Sequence, residues 1–136
     1  MQVMRGVILA AAIAMPMAAH AEGNLAALPA NRIELGITGA AMALSATTFE
    51  IETGLYYRLT ITSDGAAEAM FRAPELLRNV WLNQVVINGI EVHVQGMSFY
   101  GLEFDVAGTV FFSFVPIRPG EYPFSVGEST GTFIVR

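Results

Sequence analysis

Residues 119–126 read PGEYPFSV and residues 130–135 read TGTFIV, and these two segments close the chain. Both are predicted to be β-strands, and Pro119-Gly120 punctuates the connection that leads into the first of them. Only Gly127-Glu128-Ser129 lies between the two segments. The end of the chain therefore predicts two neighbouring strands that are joined by a short turn.

Strand patterns continue toward the N-terminus. Residues 55–62 alternate between apolar and polar side chains, which predicts a half-buried strand. Its predicted inward positions are Leu55, Tyr57, Leu59 and Ile61, and its predicted outward positions are Tyr56, Arg58, Thr60 and Thr62. Further predicted strands cover residues 32–38, 48–51, 102–105 and 110–115.

A helix signal interrupts the strand patterns in the middle of the chain. Pro74 is suited to the first turn of a helix, where its missing N–H costs nothing. A helix over residues 74–81 would place Leu77, Val80 and Trp81 on one apolar stripe. The sequence therefore predicts one short helix in this region.

Asn88-Gly89 is the strongest two-residue hairpin signal in the sequence. It lies between the apolar runs 85–87 and 90–92, which are predicted to pair as neighbouring strands. Many short strands separated by turn signals favour a sandwich or a barrel, and no repeat or linker divides the chain. The predicted fold class is an all-β sandwich with one short helix.

Residues 1–21 have the pattern of a secretory signal peptide. Arg5 precedes an apolar run over residues 6–15, and Ala19-His20-Ala21 is a suitable cleavage site. The run is shorter than the ~20 residues that a membrane span needs, although an uncleaved anchor is the alternative. We expect cleavage, a single domain over residues 22–136, a periplasmic or secreted location, and no membrane insertion of the mature protein.

Charge and composition argue against several classes of function. The formal net charge is −5, from 12 acidic and 7 basic residues. Nucleic acid and anionic lipid would be repelled by this balance, whereas a basic protein partner is compatible with it. The chain has no cysteine, and His93 is the only histidine outside the predicted leader. Neither a disulfide nor a thiolate site can form.

The two closing segments resemble the last two strands of cupredoxins, the blue-copper β-sandwiches. In that family the strand after Pro-Gly-x-Tyr delivers a cysteine thiolate, and the closing strand reads Gly-x-Phe/Val-x-Val. Residues 49–60 are similar to the hairpin that precedes the first copper histidine, so the resemblance covers residues 48–72 and 109–136, and residues 73–100 look like the variable middle region. The resemblance implies a cupredoxin-like Greek-key β-sandwich, with the short helix in that variable region.

The copper ligands of the family do not carry over. Its first histidine would fall near Glu68, its thiolate at Val126, and its axial methionine near Ser129. The second histidine would fall in the shortened loop. A blue-copper centre needs a cysteine thiolate and two imidazoles in a trigonal set. A chain without cysteine cannot build this centre, so no cofactor is certain.

A rebuilt, weaker copper site is one hypothesis that the resemblance implies. His93 would supply an imidazole, Met97 a thioether and Glu68 a carboxylate. Met42 and Met70 are further soft donors. The alternative is a solvent-facing or hydrogen-bonded histidine, together with methionines that fill the core.

A partner-docking surface is a second hypothesis. Leu77 and Trp81 on the predicted helix, and Phe111 on its strand, would supply apolar contacts. The alternative is that Trp81 covers the core from outside. Because Phe111 lies on the face opposite Phe112 and Phe114, the strand is either covered on both faces or involved in a homo-oligomer.

No catalytic residue is predicted. Glu103 and Asp105 share a strand face, as do Glu50 and Glu52, and such neighbours more often form a solvated stripe than an acid–base pair. No phosphate-binding loop pattern occurs. We expect a non-catalytic binding or accessory protein that either handles copper weakly or docks on an exported redox partner. The alternative is a metal-free structural or protein-interaction module of the cell envelope.

Overall fold

The computed structural model describes residues 25–26, 29–88, 90–95 and 98–136, and it describes only the backbone of Glu91 and of residues 93–95. The predicted leader (residues 1–21) and Met97 lie outside these ranges, so the prediction of a leader is not tested. Within the described ranges, no helix is long and apolar enough to cross a membrane.

Eleven strands and one short helix make up the described part of the chain. In chain order they are β1 (Asn31–Thr38), β2 (Ala43–Leu44), β3 (Thr48–Ile51), β4 (Tyr57–Ser63), β5 (Ala69–Arg72), α1 (Pro74–Leu77), β6 (Val80–Asn88), β7 (Glu91–Gln95), β8 (Ser98–Phe104), β9 (Gly108–Pro116), β10 (Gly120–Val126) and β11 (Ser129–Val135).

The strands form two sheets, so the predicted β-sandwich is confirmed. Sheet A has five strands in the order β2-β1-β4-β9-β6, and sheet B has six in the order β3-β11-β10-β5-β8-β7. The pairs β1–β4 and β3–β11 are parallel, and the other pairs are antiparallel. Neighbours in each sheet are therefore often far apart in the sequence.

Aromatic rings join the two sheets in the core. Phe112 of β9 is fully buried, and its ring centroid lies 6.1 Å from that of Phe71 and 5.2 Å from that of Phe99. Phe71 and Phe99 belong to β5 and β8 of sheet B, whereas β9 belongs to sheet A. These contacts hold the inner faces of the sandwich together.

The two predicted closing strands are confirmed as β10 and β11. They pair antiparallel, from Gly120 opposite Val135 to Val126 opposite Ser129. Gly131 is required by close packing, because a Cβ atom there would lie only 2.3 Å from the Phe124 ring. The short turn at the end of β10 therefore brings the last strand back along the same sheet.

The predicted helix over residues 74–81 is wrong beyond Leu77. The helix α1 is a single turn, and Trp81 belongs to strand β6. Strand β6 pairs with β9 along its length, from Val80 opposite Pro116 to Asn88 opposite Thr109. This long-range pairing outweighs the local apolar stripe that favoured a longer helix.

The predicted hairpin around Asn88-Gly89 is also wrong. Strand β6 ends at Asn88 in sheet A, whereas β7 begins at Glu91 in sheet B. Each strand pairs with a different partner, β6 with β9 and β7 with β8. The chain crosses from one sheet to the other here, because each strand completes a ladder with a partner that follows later in the sequence.

One predicted strand is shifted at its start. Leu55 was expected to face inward, but it precedes β4 and is 42% exposed. Tyr56 was expected to face outward, but it is buried, and its hydroxyl accepts a hydrogen bond of 2.8 Å from the Asn83 side chain. The alternation in the sequence holds only from Tyr57 onward, where pairing with β1 and β9 begins.

Candidate metal site

The position predicted to correspond to the copper thiolate is occupied by Val126, a side chain of the hydrophobic core. Val126 is fully buried, and its backbone pairs with Phe71 of β5 and Ser129 of β11. An isopropyl group offers no lone pair to a metal. This position therefore contributes packing rather than a ligand.

Met42 covers the turn beside this position. A Cβ atom on Gly127 would lie 2.7 Å from the Met42 sulfur, so the thioether packs directly against the turn. The hydroxyl of Ser129 donates a hydrogen bond of 2.9 Å to the Met42 carbonyl oxygen. Met42 has a positive φ of 54°, which this packing and hydrogen bond support.

The donor set does not fit a type 1 copper centre. Such a centre needs a cysteine thiolate, and the chain has none. Ser129, predicted near the axial methionine position, instead forms the hydrogen bond to Met42. No step of blue-copper electron transfer can be assigned to these residues.

A cluster of carboxylates lies where β5 and β8 pair. Oxygen atoms of Glu68, Glu103 and Asp105 lie within 4.8 Å of one another. Strand pairing explains the cluster, because Ala69 lies opposite Phe104, which places the preceding Glu68 beside Asp105. Sequence reasoning assigned Glu103 and Asp105 to a solvated stripe and did not connect them with Glu68. Only the register between β5 and β8 reveals this proximity.

A thioether lies on the same strands. Met70 of β5 pairs with Glu103, and a Cβ atom on Gly101 would lie 3.0 Å from the Met70 sulfur. Gly101 is in turn the backbone partner of His93 on β7. The register therefore places the backbone of His93 and the side chain of Met70 next to Gly101. Gly101 itself precedes Glu103 by two residues on β8.

The predicted metal ligands are thus partly brought together. Glu68 joins the carboxylate cluster, the backbone of His93 lies on the adjacent strand, and Met97 lies outside the described residues. Carboxylates alone suit hard cations such as Mg²⁺ and Ca²⁺, whereas imidazole and thioether donors suit copper. Selection of copper would depend on His93 and Met70.

Asp64 fixes the loop that leads to Glu68. Its carboxylate accepts hydrogen bonds from the backbone N–H of Gly39 at 2.8 Å and of Ala66 at 3.0 Å. These bonds hold the pKa of Asp64 below its ordinary value, and the bond from Gly39 has the larger effect. An ionised Asp64 therefore connects the turn after β1 to the loop between β4 and β5.

The three residues predicted for partner docking do not form one surface. Leu77 is buried, with 5% of its surface exposed, so its side chain is not available to a partner. Phe111 lies beneath Arg58, whose guanidinium carbon is 4.4 Å from the ring centroid. Trp81 is 52% exposed on β6. The helix that was expected to align Leu77 with Trp81 ends before it reaches Trp81.

Comparisons with solved structures identify the fold. Auracyanin A, a "blue" copper protein from Chloroflexus aurantiacus, is 13% identical with a TM-score of 0.52, over 79% of this chain and 100% of that chain. Auracyanin from Roseiflexus castenholzii is 17% identical with a TM-score of 0.53, over 79% of this chain and 99% of that chain. The cupredoxin fold predicted from the sequence is confirmed.

The same fold occurs inside a larger enzyme. The McoA multicopper oxidase from Aquifex aeolicus is 8% identical with a TM-score of 0.55, and the match spans 79% of this chain but only 29% of the oxidase. No protein-family model matches the sequence, and no curated protein matches it. At such low identities the likeness concerns the fold and not the site.

Proposed function

We propose that this chain is an exported, non-catalytic accessory protein of the cupredoxin fold. It binds copper weakly on sheet B, through His93, Met70 and the carboxylate cluster of Glu68, Glu103 and Asp105. This site uses no thiolate and draws its donors from β5, β8, β7 and the residues beside them; of the positions expected to correspond to type 1 ligands, it includes only Glu68.

The observation that carries the proposal is the strand register on sheet B. Pairing of β5, β8 and β7 gathers a thioether, a histidine position and three carboxylates within a few residues of Gly101 and Glu103. Thioether and imidazole donors favour Cu(I), whereas imidazole and carboxylate donors favour Cu(II). The site therefore offers donors to both oxidation states.

Export and the absence of catalysis rest on the sequence. Residues 1–21 have the charged start, short apolar run and cleavage pattern of a secretory leader. Outside that leader the chain has no cysteine nucleophile and a single histidine, and the carboxylate pairs in the sequence are neighbours on one strand face rather than an opposed acid–base pair. An exported redox protein or a basic protein is the proposed partner.

Copper titration tests the proposal directly. The full chain would be expressed with its leader, purified from the periplasm, and titrated with anaerobic Cu(I) and aerobic Cu(II) against a competing chelator. We expect one equivalent at micromolar affinity or tighter. His93→Ala should weaken binding of both ions at least tenfold, and Met70→Leu should weaken Cu(I) more than Cu(II), since a thioether is a soft ligand.

Met42→Leu is the matched control. It also replaces a thioether, but Met42 packs against the turn at Gly127, and it lies on none of the three strands that supply the proposed ligands. Its copper affinity should equal that of the unmodified protein. Binding no stronger than that of a denatured sample, or full binding by His93→Ala, would contradict the copper proposal.

A metal-free interaction module is the second candidate function. The exposed indole of Trp81 on β6 favours it, because a large aromatic side chain at a sheet edge is suited to protein contact. The copper titration separates the two candidates. If the protein binds no copper specifically, the metal-free interaction module is the better candidate, and the fold would serve to present a surface for protein contacts.

A further inference from the structure

The sandwich has four terminal strands, and β6 differs from the other three. Sheet A ends in β2 and β6, and sheet B ends in β3 and β7. Strand β2 has only two residues, and β3 has four, including Glu50 in an ion pair with Arg136 at 3.2 Å. Strand β7 contains Glu91, whereas the nine residues of β6 include no charged side chain.

The edge of β6 is also apolar. Trp81, Val86 and Ile87 are 52%, 39% and 41% exposed. Within the described residues, β6 pairs on one side only, with β9. Charged side chains normally keep an edge strand from adding another strand to its unpaired backbone groups. No charged side chain protects β6 at any of its nine positions.

One segment of β6 is regular enough to pair. The ladder with β9 is interrupted between Leu82 and Gln84, so Asn83 has no partner on β9. From Gln84 to Asn88 the register runs without interruption. A bulge re-aims a strand locally, so a new ladder is expected over residues 84–88 rather than across Asn83.

The charge distribution indicates a second copy of the chain as the occupant. The chain has a net charge of −5, so two copies repel each other over most of their surfaces. Residues 84–88 carry no charge, and antiparallel pairing around a two-fold axis would place only neutral side chains opposite one another. A basic partner would be drawn to acidic surfaces and gains nothing from a neutral edge.

We propose that the protein forms a symmetric dimer through β6. Residues 84–88 of the two copies pair antiparallel, with Val86, the central residue of this segment, beside the two-fold axis. The pairing joins the two copies of sheet A into one continuous sheet and covers part of the exposed apolar surface of β6. This inference is independent of copper, because the proposed metal site lies on sheet B.

Charge insertion at the edge tests the dimer. Val86→Lys places two ammonium groups near the axis, and in the full chain it should weaken self-association at least tenfold in sedimentation equilibrium. Val106→Lys is the control, since Val106 is an exposed valine between β8 and β9 and receives the same charge. Its association should match that of the unmodified protein. Measurement with a metal chelator present keeps the result separate from copper binding.

Cysteine cross-linking provides a second measurement that does not rely on loss of association. The chain has no cysteine, so Val86→Cys and Val106→Cys each introduce the only thiol. Opposite residues of antiparallel strands have Cα atoms about 4.5–5.5 Å apart, which a disulfide can span. Mild oxidation should link Val86→Cys into dimers and leave Val106→Cys mostly monomeric.

Three results would overturn the proposal. The first is that the unmodified protein stays monomeric at the highest soluble concentration. This result would overturn the dimer even if β6 paired with a strand of another protein. The second is a Val86→Lys variant that folds, by circular dichroism, and associates as before. The third is equal cross-linking of the two cysteine variants, which also decides the matter if Val86→Lys does not fold.

Discussion

Asp64 shows how one exposed carboxylate can hold two loops together. It accepts backbone hydrogen bonds from Gly39 and Ala66, and these lower its pKa. A group with a lowered pKa in the folded state stabilises the protein above its unfolded pKa. That contribution is lost as the pH falls through the folded pKa.

Asp64→Asn should therefore destabilise the protein in a pH-dependent way. The amide has one acceptor oxygen instead of two and no charge, so one hydrogen bond and the ionic part of the other are lost. The difference in unfolding free energy from the unmodified protein should be largest near neutral pH. It should shrink as the pH falls below the ordinary aspartate pKa of about 3.9 and toward the lowered pKa of the folded state, because protonation removes the charge of Asp64 in the unmodified protein.

Urea unfolding across this pH range measures the difference. Glu128→Gln removes one negative charge from the exposed turn after β10, and it controls for a general effect of net charge. If the Asp64→Asn difference stayed constant or grew toward low pH, the assignment of a lowered pKa to Asp64 would be wrong.

At the scale of elements, the hydroxyl of Tyr122 contributes to holding the connection between β9 and β10. Tyr122 on β10 is buried, and its hydroxyl donates to the Arg118 carbonyl oxygen at 2.9 Å, with the Pro119 carbonyl oxygen at 3.3 Å. The ring lies close to Gly120, where a Cβ atom would be 2.9 Å from it. The tyrosine thus fixes the turn that starts the closing pair of strands.

Tyr122→Phe should lower the unfolding free energy by about 1 kcal/mol, the usual net contribution of one hydrogen bond. Denaturant unfolding with an unchanged m value measures the loss. Tyr100→Phe, at an exposed position on β8, should change stability by less than about 0.5 kcal/mol. Equal effects of the two substitutions would mean that the hydroxyl of Tyr122 does not hold the turn.

The elements also show where sequence reasoning succeeds. The predicted strand over residues 48–51 has the bounds of β3, and the closing strands lie within one residue of β10 and β11. These strands follow from short patterns that are read along the chain. The predicted hairpin at Asn88-Gly89 fails because a turn signal reports local preference, whereas β6 and β7 are held by ladders to β9 and β8.

At the scale of the whole molecule, Phe112 joins the two sheets. Its ring contacts Phe71 and Phe99 across the core, and it is fully buried. The neighbouring Phe111 points to the other face of the same strand and is covered by Arg58. The two phenylalanines therefore allow the inner and outer faces of one strand to be compared.

Phe112→Ala should lower the unfolding free energy by about 3–5 kcal/mol, because it leaves a cavity between the sheets. Phe111→Ala should cost only about 1–2 kcal/mol, since its ring is partly exposed to solvent. Guanidinium unfolding, followed by near-ultraviolet circular dichroism, measures both variants. Losses of equal size would contradict the view that Phe112 is the main contact between the sheets.

The sequence by itself determined the chemistry that is missing and the class of fold. A chain without cysteine excludes a type 1 copper centre, and alternating patterns with turn signals predict a β-sandwich. Apart from the closing pair of β10 and β11, only the tertiary structure decided which strands are neighbours. It placed Glu68 beside Glu103 and Asp105, Met70 beside the partner of His93, and Trp81 on an uncharged edge. These arrangements depend on the register between distant strands, which no local pattern of side chains specifies.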